Sequence, residues 1–528
     1  MTDASGAAPP ADLLAAFEAY ERALMANDLD ALDDAFARHP DTLRGDAAGL
    51  LAGHAAISEF RGQRGGVAPR EIVRLETRIL GPDTVLLMSV ARFRDGGQGL
   101  QTQLWERIEG RWLITAAHVT ARAQAFDRSI WRTVGDPLYQ GAWEGPLAGL
   151  TVAVKDVFAI RGYRIGAGNP AWLRTRKREP ATAPAVGDLL RGGASLRGIA
   201  RTDEFAYSIA GANPHYGTPP NGAVPGALPG GSSSGPAAAV AAGQAEIGLG
   251  TDTAGSIRVP ASYQGLWGLR TTHGLVPRQG MLPLAQSFDT VGWLTRDAGT
   301  LERVAAWCLV TDSSAADPEA VISPLPPLPR RVLVPAEALD CTQGPTRAAF
   351  EAWLDGALAS GRLDAVETVG VGDLDGYLDA FRTVQGAEAW RNNGDWVEAN
   401  AAALGPDVAA RFALASRVTA EQEKAARAEL ERLRQHVRSL ASDAVLALPS
   451  TPGPAPSRTL SAAAAERIRA ATLRMTALAG IGGLPALSAP LLTVDSALGP
   501  APVGVCFVGP VERDLDLVRW ARTVTGAA

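Results

Sequence analysis

Three stretches of the chain carry residues whose types and spacing could do chemistry. Residues 230–235 read GGSSSG, so Gly231, Ser233 and Gly235 satisfy the G-x-S-x-G pattern of a nucleophilic serine. Residues 150–158 read LTVAVKDVF, which sets Lys155 at the end of an apolar run. Residues 248–262 read GLGTDTAGSIRVPAS, in which the small residues Ala254 and Gly255 precede Ser256. The serine elbow fits poorly. It needs an apolar strand directly before the serine and an acid and a histidine after it. Here NGAVPGALPGG precedes, a loop composition, and His273 and His436 are the two histidines downstream. A lysine at a buried strand end has either an ionic partner, such as Asp156, or a depressed pKa. A neutral lysine can serve as general base to a serine. The run Thr253–Ala254–Gly255–Ser256 leaves successive backbone N–H groups uncovered, as an oxyanion-binding nest requires. The plainer reading of the same run is a glycine turn before a helix cap. Asp252 and Arg258 are expected to pin that loop structurally.

The elements that must hold these residues follow from patterning. At 528 residues the chain is too long for one ordinary core. Its 46% hydrophobic and 20% charged content is globular. Residues 11–26 carry Leu13, Leu14, Phe17, Tyr20 and Leu24 at helical spacing, and a second short helix is expected near 29–38. Four strand-like runs follow, EIVRLETRIL, TVLLMSVARFR, LQTQLWERIE and RWLITAAHVT, separated by turn-forming breaks. This predicts a small α+β domain over 11–122, after a disordered stretch 1–10 and before a linker 123–143. From residue 144 short apolar strands alternate with Ala-rich helices and Gly/Pro loops, an α/β texture. Residues 408–440 read as one long charged amphipathic helical stretch.

Composition excludes several classes. The formal net charge of −6 and the lack of a Lys/Arg run along a helix face argue against nucleic acid and anionic membrane as partners. Lysine occurs only at Lys155, Lys177 and Lys424, arginine carrying the rest of the positive charge, so a lysine inside an apolar segment stands out. Cys308, Cys341 and Cys506 are too far apart for a disulfide framework or a zinc site. No metal, no cofactor and a cytoplasmic location are expected.

In the order VAVKD, PGGSSSG…AAAVAAG and GLGTDTAGSIRVPAS, the three stretches closely resemble the amidase signature family, over roughly residues 144–528. HYGTPPN and LPLAQSFDTVGWLTRD look most like its indole-3-acetamide hydrolase subgroup. The resemblance implies an α/β amidase signature fold, a mixed central sheet flanked by helices, and a Ser–Ser–Lys triad. Lys155 matches the family lysine, Ser232 the bridging serine and Ser256 the nucleophile. The implied oxyanion donors are the N–H groups of Thr253, Ala254, Gly255 and Ser256. Pro236 departs from the family, where serine is common. The implied activity is hydrolysis of a linear amide C–N bond in a small molecule. That role needs a neutral Lys155, its pKa lowered from about 10.4 by roughly 2–3, or about 3–4 kcal/mol. Alternatives left open are a hydrolase of carboxylated urea or biuret compounds, an amidotransferase-like subunit, and a non-catalytic relative. Residues 10–122 resemble more loosely the cone-shaped SnoaL-like domains associated with amidases of the cyanuric acid pathway, one of them a decarboxylase. Tyr20 and Arg44 match that group's functional Tyr and Arg, although Tyr20 also lies on an apolar helix face. A homodimer or higher homo-oligomer, formed through this domain, is expected.

Overall fold

The computed structural model describes residues 9–46, 49–62, 70–93, 98–120, 126–309 and 326–527. The chain divides into two compact units, Met1–Phe126 and Asp127–Ala528. Most of the expected disordered stretch, residues 1–8, lies outside the described residues.

In the first unit, helix α1 (Ala11–Ala26) buries Leu13, Phe17 and Tyr20, positions i, i+4 and i+7 of one face. It stops at Asn27, whose left-handed φ of 53° lets its N–H return to the carbonyls of Ala23 and Leu24. Helix α2 (Leu29–Asp34) is capped by Asp28, which accepts the Ala31 N–H at 3.1 Å. Strands β1 (Leu43–Asp46) and β2 (Gly49–Ala52) and helix α3 (His54–Gly62) follow. Then come β3 (Arg70–Gly81), β4 (Thr84–Phe93), β5 (Gln98–Ile108) and β6 (Arg111–Val119), in the sheet order β2-β1-β6-β5-β4-β3. Period-two alternation sends Val85, Leu87, Trp105 and Ile114 inward onto α1. The β5–β6 hairpin turns on Glu109 and Gly110, both at positive φ (52° and 81°), as a two-residue turn of the right twist demands. The four long strands lie where patterning puts them. The four-residue β1 and β2 are too short to show a period, and α3 likewise went unread.

Among the described residues of the second unit, eleven strands form one sheet. They are β7 (Trp131–Tyr139), β8 (Thr151–Lys155), β9 (Ser195–Ala200), β10 (Ile247–Asp252), β11 (Trp267–Arg270), β12 (Thr290–Thr295), β13 (Arg331–Pro335), β14 (Ala365–Val369), β15 (Val445–Pro449), β16 (Ala486–Ser496) and β17 (Gly499–Val508). Their order is β14-β13-β15-β17-β16-β11-β12-β10-β8-β9-β7. The sheet is mixed: β8 runs parallel to both β9 and β10, whereas β12 is antiparallel to β10. Two expectations are corrected here. The linker 123–143 contains β7, which pairs with β9 through Trp131↔Ala200 and Val134↔Gly198 and so belongs to this sheet. The single helical stretch 408–440 is two helices, Pro406–Ala415 and Ala420–Leu440, because Thr419 starts the second with a capping box to Gln422.

Candidate active site

The parallel pairing of β8 with β10 brings the carboxyl ends of both strands to one edge, where α/β sheets carry their sites. Lys155 is the last residue of β8 and fully buried. Its Nζ donates to Ser232 Oγ at 2.8 Å and to Thr251 Oγ1, near the end of β10, at 2.7 Å. Burial pulls the amine's pKa down from 10.5 to about 7; the carboxylates of Asp203, Asp252 and Asp289 oppose this without cancelling it.

The serine loop is fixed residue by residue. The Gly231 N–H donates to the Ile209 carbonyl at 2.9 Å, and the Ser232 carbonyl accepts from Thr202 Oγ1 at 2.9 Å and from the Asp203 N–H at 3.2 Å. A Cβ on Gly231 would lie 2.3 Å from Asp203 Oδ2, so glycine is required by the close approach. Ser233 donates its hydroxyl to the Thr251 carbonyl at 3.2 Å and its N–H to the Ser256 carbonyl at 3.3 Å, tying this loop to the next. Ser234 donates to Asp203 Oδ1 at 2.9 Å. The two outer serines are thus engaged in holding the loop. Pro236 falls in the first turn of helix Ser234–Ala241, where the missing N–H has no intrahelical partner to lose.

Ser256 is buried, two residues ahead of helix Arg258–Gln264. Its loop folds around the Asp252 carboxylate, which accepts from the N–H groups of Gly255 (2.8 Å) and Ile257 (3.1 Å) and from Arg258 Nη2 (2.9 Å) and Arg270 Nη1 (3.1 Å). Burial alone would raise the Asp252 pKa; the two guanidiniums outweigh it and hold the carboxyl well below the usual range. The structural part expected of Asp252 and Arg258 matches this geometry, and Arg270 is a second cation that spacing did not reveal. Gly255 is a correction. Its N–H is spent on Asp252, so it is not free for an oxyanion. The Thr253 hydroxyl donates to Asp289 Oδ1 at 2.6 Å, and Thr476 Oγ1 donates to the Ala254 carbonyl at 2.7 Å. Asp289, pushed up to about 6 by burial, also accepts the N–H groups of Leu284 and Ala285, each at 2.9 Å. Thr251, Asp203, Asp289 and Thr476 went unread in the sequence; Thr476 lies 220 positions after Ser256 and carries no local signal.

A cavity of about 530 Å³ is lined in part by Ile209, whose carbonyl takes the Gly231 N–H, and by Leu228, two residues ahead of the serine loop. Tyr263 is the one aromatic side chain on its wall among the described residues. Trp172 and Tyr207 pack into a cluster with Phe205, Trp396 and Phe412, and Trp293 is core. His273 meets the Gln286 carbonyl at 2.8 Å and is remote from the elbow role.

In the first unit Tyr20 and Arg44 are both buried. Tyr20 packs against Phe36 and Trp105 and takes a long hydrogen bond, 3.4 Å, from Arg61 Nη2. Arg44 pairs with Asp46 at 2.8 Å and stacks over Phe60. Nearby, Arg70 holds Glu21 through two nitrogens, at 3.0 and 2.8 Å. Among the described residues no group of three or more His, Cys, Asp or Glu side chains is arranged for a metal ion, and no helix is long and apolar enough to cross a membrane.

A buried lysine hydrogen-bonded to one serine, with a second buried serine after a glycine turn, lies at one edge of a mixed α/β sheet. Residues 114–518 match the family model described as Amidase, and residues 7–125 the model described as AtzH-like. The chain belongs to the amidase family, hydrolases acting on amide C–N bonds, and carries an AtzH-like N-terminal domain. It is 38% identical to Amidase 1 of Oryza sativa subsp. japonica over 66% of this chain and 84% of that protein. It is 31% identical to the chloroplastic outer envelope protein 64 of Arabidopsis thaliana, over 72% of this chain and 66% of that one. It is 44% identical to the 1-carboxybiuret hydrolase subunit AtzE of Pseudomonas sp. strain ADP, over 33% of this chain and 36% of that one. A solved, inhibitor-bound vestigial protein complex, described as revealing the evolutionary origins of an s-triazine catabolic enzyme, contains a chain that superposes with a TM-score of 0.63 at 29% identity, covering 73% of this chain and 85% of the other.

Proposed function

We propose that this protein hydrolyses a small-molecule carboxamide to a carboxylate and ammonia or an amine through a covalent acyl-enzyme on Ser256. The observation that carries the reading is the buried Lys155 Nζ, 2.8 Å from Ser232 Oγ and with a pKa lowered to about 7. Such an amine is neutral for much of the time near neutral pH and can take a proton. Ser256 Oγ attacks the amide carbon as its proton passes to Ser232, whose own proton passes to Lys155. The carbonyl oxygen becomes an oxyanion facing the N–H groups of Thr253, Ala254 and Ser256. Collapse breaks the C–N bond, and the relay returns the proton to the leaving nitrogen. Water then enters, gives a proton to the same relay and attacks the ester carbon; the bond to Ser256 Oγ breaks, the relay returns the proton to that oxygen, and the carboxylate leaves. Labelling with an aryl sulfonyl fluoride followed by peptide mapping tests the assignment: modification of Ser256 is expected, and modification of Ser233 overturns it.

The substrate is a small amide without nucleic acid or membrane as partner; carboxylated urea or biuret compounds are the alternative, a class that the name of AtzE includes. The cytoplasm is the proposed location. A homo-oligomer through the first unit is also proposed. The outward face of β4 and β5 pairs Leu86 with Leu104 and Val90 with Leu100, beside an exposed Met88. Met88 and Leu100 are exposed there, apolar groups of the kind that mark protein–protein contacts when they cluster. A monomer in sedimentation at micromolar concentration overturns it. A second active site at Tyr20 and Arg44 is favoured by the side-chain nitrogens of Gln101 and Gln103, buried in the same unit without acceptors. Under that reading Tyr20→Phe in the full chain abolishes CO2 release from a carboxylated urea and leaves amide hydrolysis in place.

A further inference from the structure

The cavity beside the serine loop narrows the choice of amide. One end is walled by residues that hold the two serine loops, although Lys155, Ser232 and Ser256 themselves do not line it. The Ile209 carbonyl on its wall takes the Gly231 N–H, and Thr472, also on the wall, lies one helical turn before the Thr476 that holds the Ala254 carbonyl. Ile209, Leu228, Val408 and Ile468 give the walls an apolar character. Two arginines interrupt it. Arg411 donates Nη1 to the Tyr207 carbonyl at 2.6 Å. Arg469 has Nη1 at 3.3 Å from Glu466 Oε1, while its buried Nε has no acceptor. Behind them Arg382, on helix Leu374–Ala399, lies 3.6 Å from the same Glu466, and its buried Nη2 has no hydrogen bond. Two guanidiniums, Arg469 and Arg382, therefore share one carboxylate, with the positive Arg411 beside them. Burial and the neighbouring Arg411 both disfavour the charge on Arg469. The other acids on the wall do not relieve it. Glu204 is committed to Asn169 at 2.6 Å, to His215 at 2.7 Å and to the Gly405 N–H at 2.9 Å, and Asp407 is exposed. Buried donors without acceptors beside surplus positive charge are what an absent anion leaves behind.

We infer that Arg469 and Arg411 form a carboxylate subsite, so that the amide this enzyme cleaves carries an anionic group in the arm that fills the cavity. The inference rests on the amidase reading and names its substrate class. A guanidinium with an unused edge takes a carboxylate as a planar fork, which an ammonium does not. The cavity has room for a short acidic arm. Arg469 and Arg411 are specificity residues; neither takes part in bond making.

The test uses matched amides, succinamate against succinamide, which differ in one carboxylate. The full chain is expected to favour succinamate by about tenfold or more in kcat/KM, the worth of one charge-assisted pair. Arg469→Gln and Arg411→Gln are each expected to collapse that ratio toward one, mainly through KM. A ratio near one in the unaltered protein overturns the inference, as does a variant that slows both amides equally and keeps the ratio. Binding is read separately by calorimetry of succinate and of its dimethyl ester on Ser256→Ala. Heat from succinate alone, lost with Arg469→Gln, supports the subsite, and equal or no heat from both overturns it. A protein that turns over neither amide and leaves Ser256 unlabelled sinks the amidase reading, while the succinate titration still decides the subsite.

Discussion

Lys155 can be tested twice, once by rate and once by stability. A pKa of about 7 makes the amine about nine-tenths neutral at pH 8 and about one-tenth neutral at pH 6. If the neutral amine drives acylation, kcat/KM rises about tenfold per pH unit up to pH 7 and levels above it. The rate of Ser256 labelling should trace the same curve, since it has no product-release step. A rate that is flat down to pH 5, or that climbs with a midpoint near 10, refutes a buried neutral base.

The stability arm follows from the same burial. The unfolded chain holds the lysine proton up to about pH 10.5, while the folded chain releases it near 7. A base with a lowered folded-state pKa destabilises the fold progressively as pH falls from the unfolded value to the folded one, and the loss is complete below it. At pH 7 the cost is roughly 4 kcal/mol, and at pH 10 roughly 1 kcal/mol, at about 1.4 kcal/mol per pH unit. Lys155→Met removes that cost and also the hydrogen bonds to Ser232 and Thr251, about 1 kcal/mol each. The inactive variant is therefore expected to be roughly 2 kcal/mol more stable than the parent at pH 7 and roughly 1 kcal/mol less stable at pH 10. Urea denaturation at the two pH values reads the difference. A variant whose stability relative to the parent does not change between them refutes the lowered pKa, whatever its activity.

Other perturbations have equally definite outcomes. Asp252→Asn leaves Arg258 and Arg270 buried without a counter-charge; a loss of about 3–5 kcal/mol in urea denaturation is expected. Gly231→Ala drives a Cβ against Asp203 and displaces Ser232, so kcat/KM is expected to fall about 100-fold, with circular dichroism confirming a folded chain. Ser233→Ala loses the two buried hydrogen bonds of its hydroxyl to the Thr251 backbone, about 1–2 kcal/mol by denaturation, and is expected to retain labelling at Ser256, whereas Ser256→Ala loses it.

The parts of this site that the sequence made legible share one property: their neighbours in the chain are also their neighbours in space. Lys155 could be found because an apolar strand ends on it, and Asp252 with Arg258 because a turn of six residues joins them. The same locality explains the four long strands of the first unit and the alternation that faces them inward. What stayed hidden was built by the sheet. Thr251 becomes the second acceptor for Lys155 only because β10 lies parallel beside β8, and Arg270 reaches Asp252 only through the pairing of β11 and β12. Strand β7 looked like a connection because its partner, β9, lies some 60 residues on.

This division bears on which motif to believe. The serine with the better local signature, Ser233, is held by Thr251 and by the Ser256 backbone, with both its N–H and its hydroxyl engaged. Ser232, with no signature of its own, receives the lysine. A G-x-S-x-G match reports a backbone that can turn tightly, and here the turn presents the serine beside the one that matches. The chemistry is then decided by desolvation, because the same Lys155–Ser232 pair in water would hold a charged amine and an ordinary hydroxyl. A polar replacement that admits water beside Lys155 without touching the pair, such as Ala153→Ser two residues back on the same face of the strand, is accordingly expected to move the acid limb of the rate profile to higher pH. An unmoved limb would show that burial is not what sets the base.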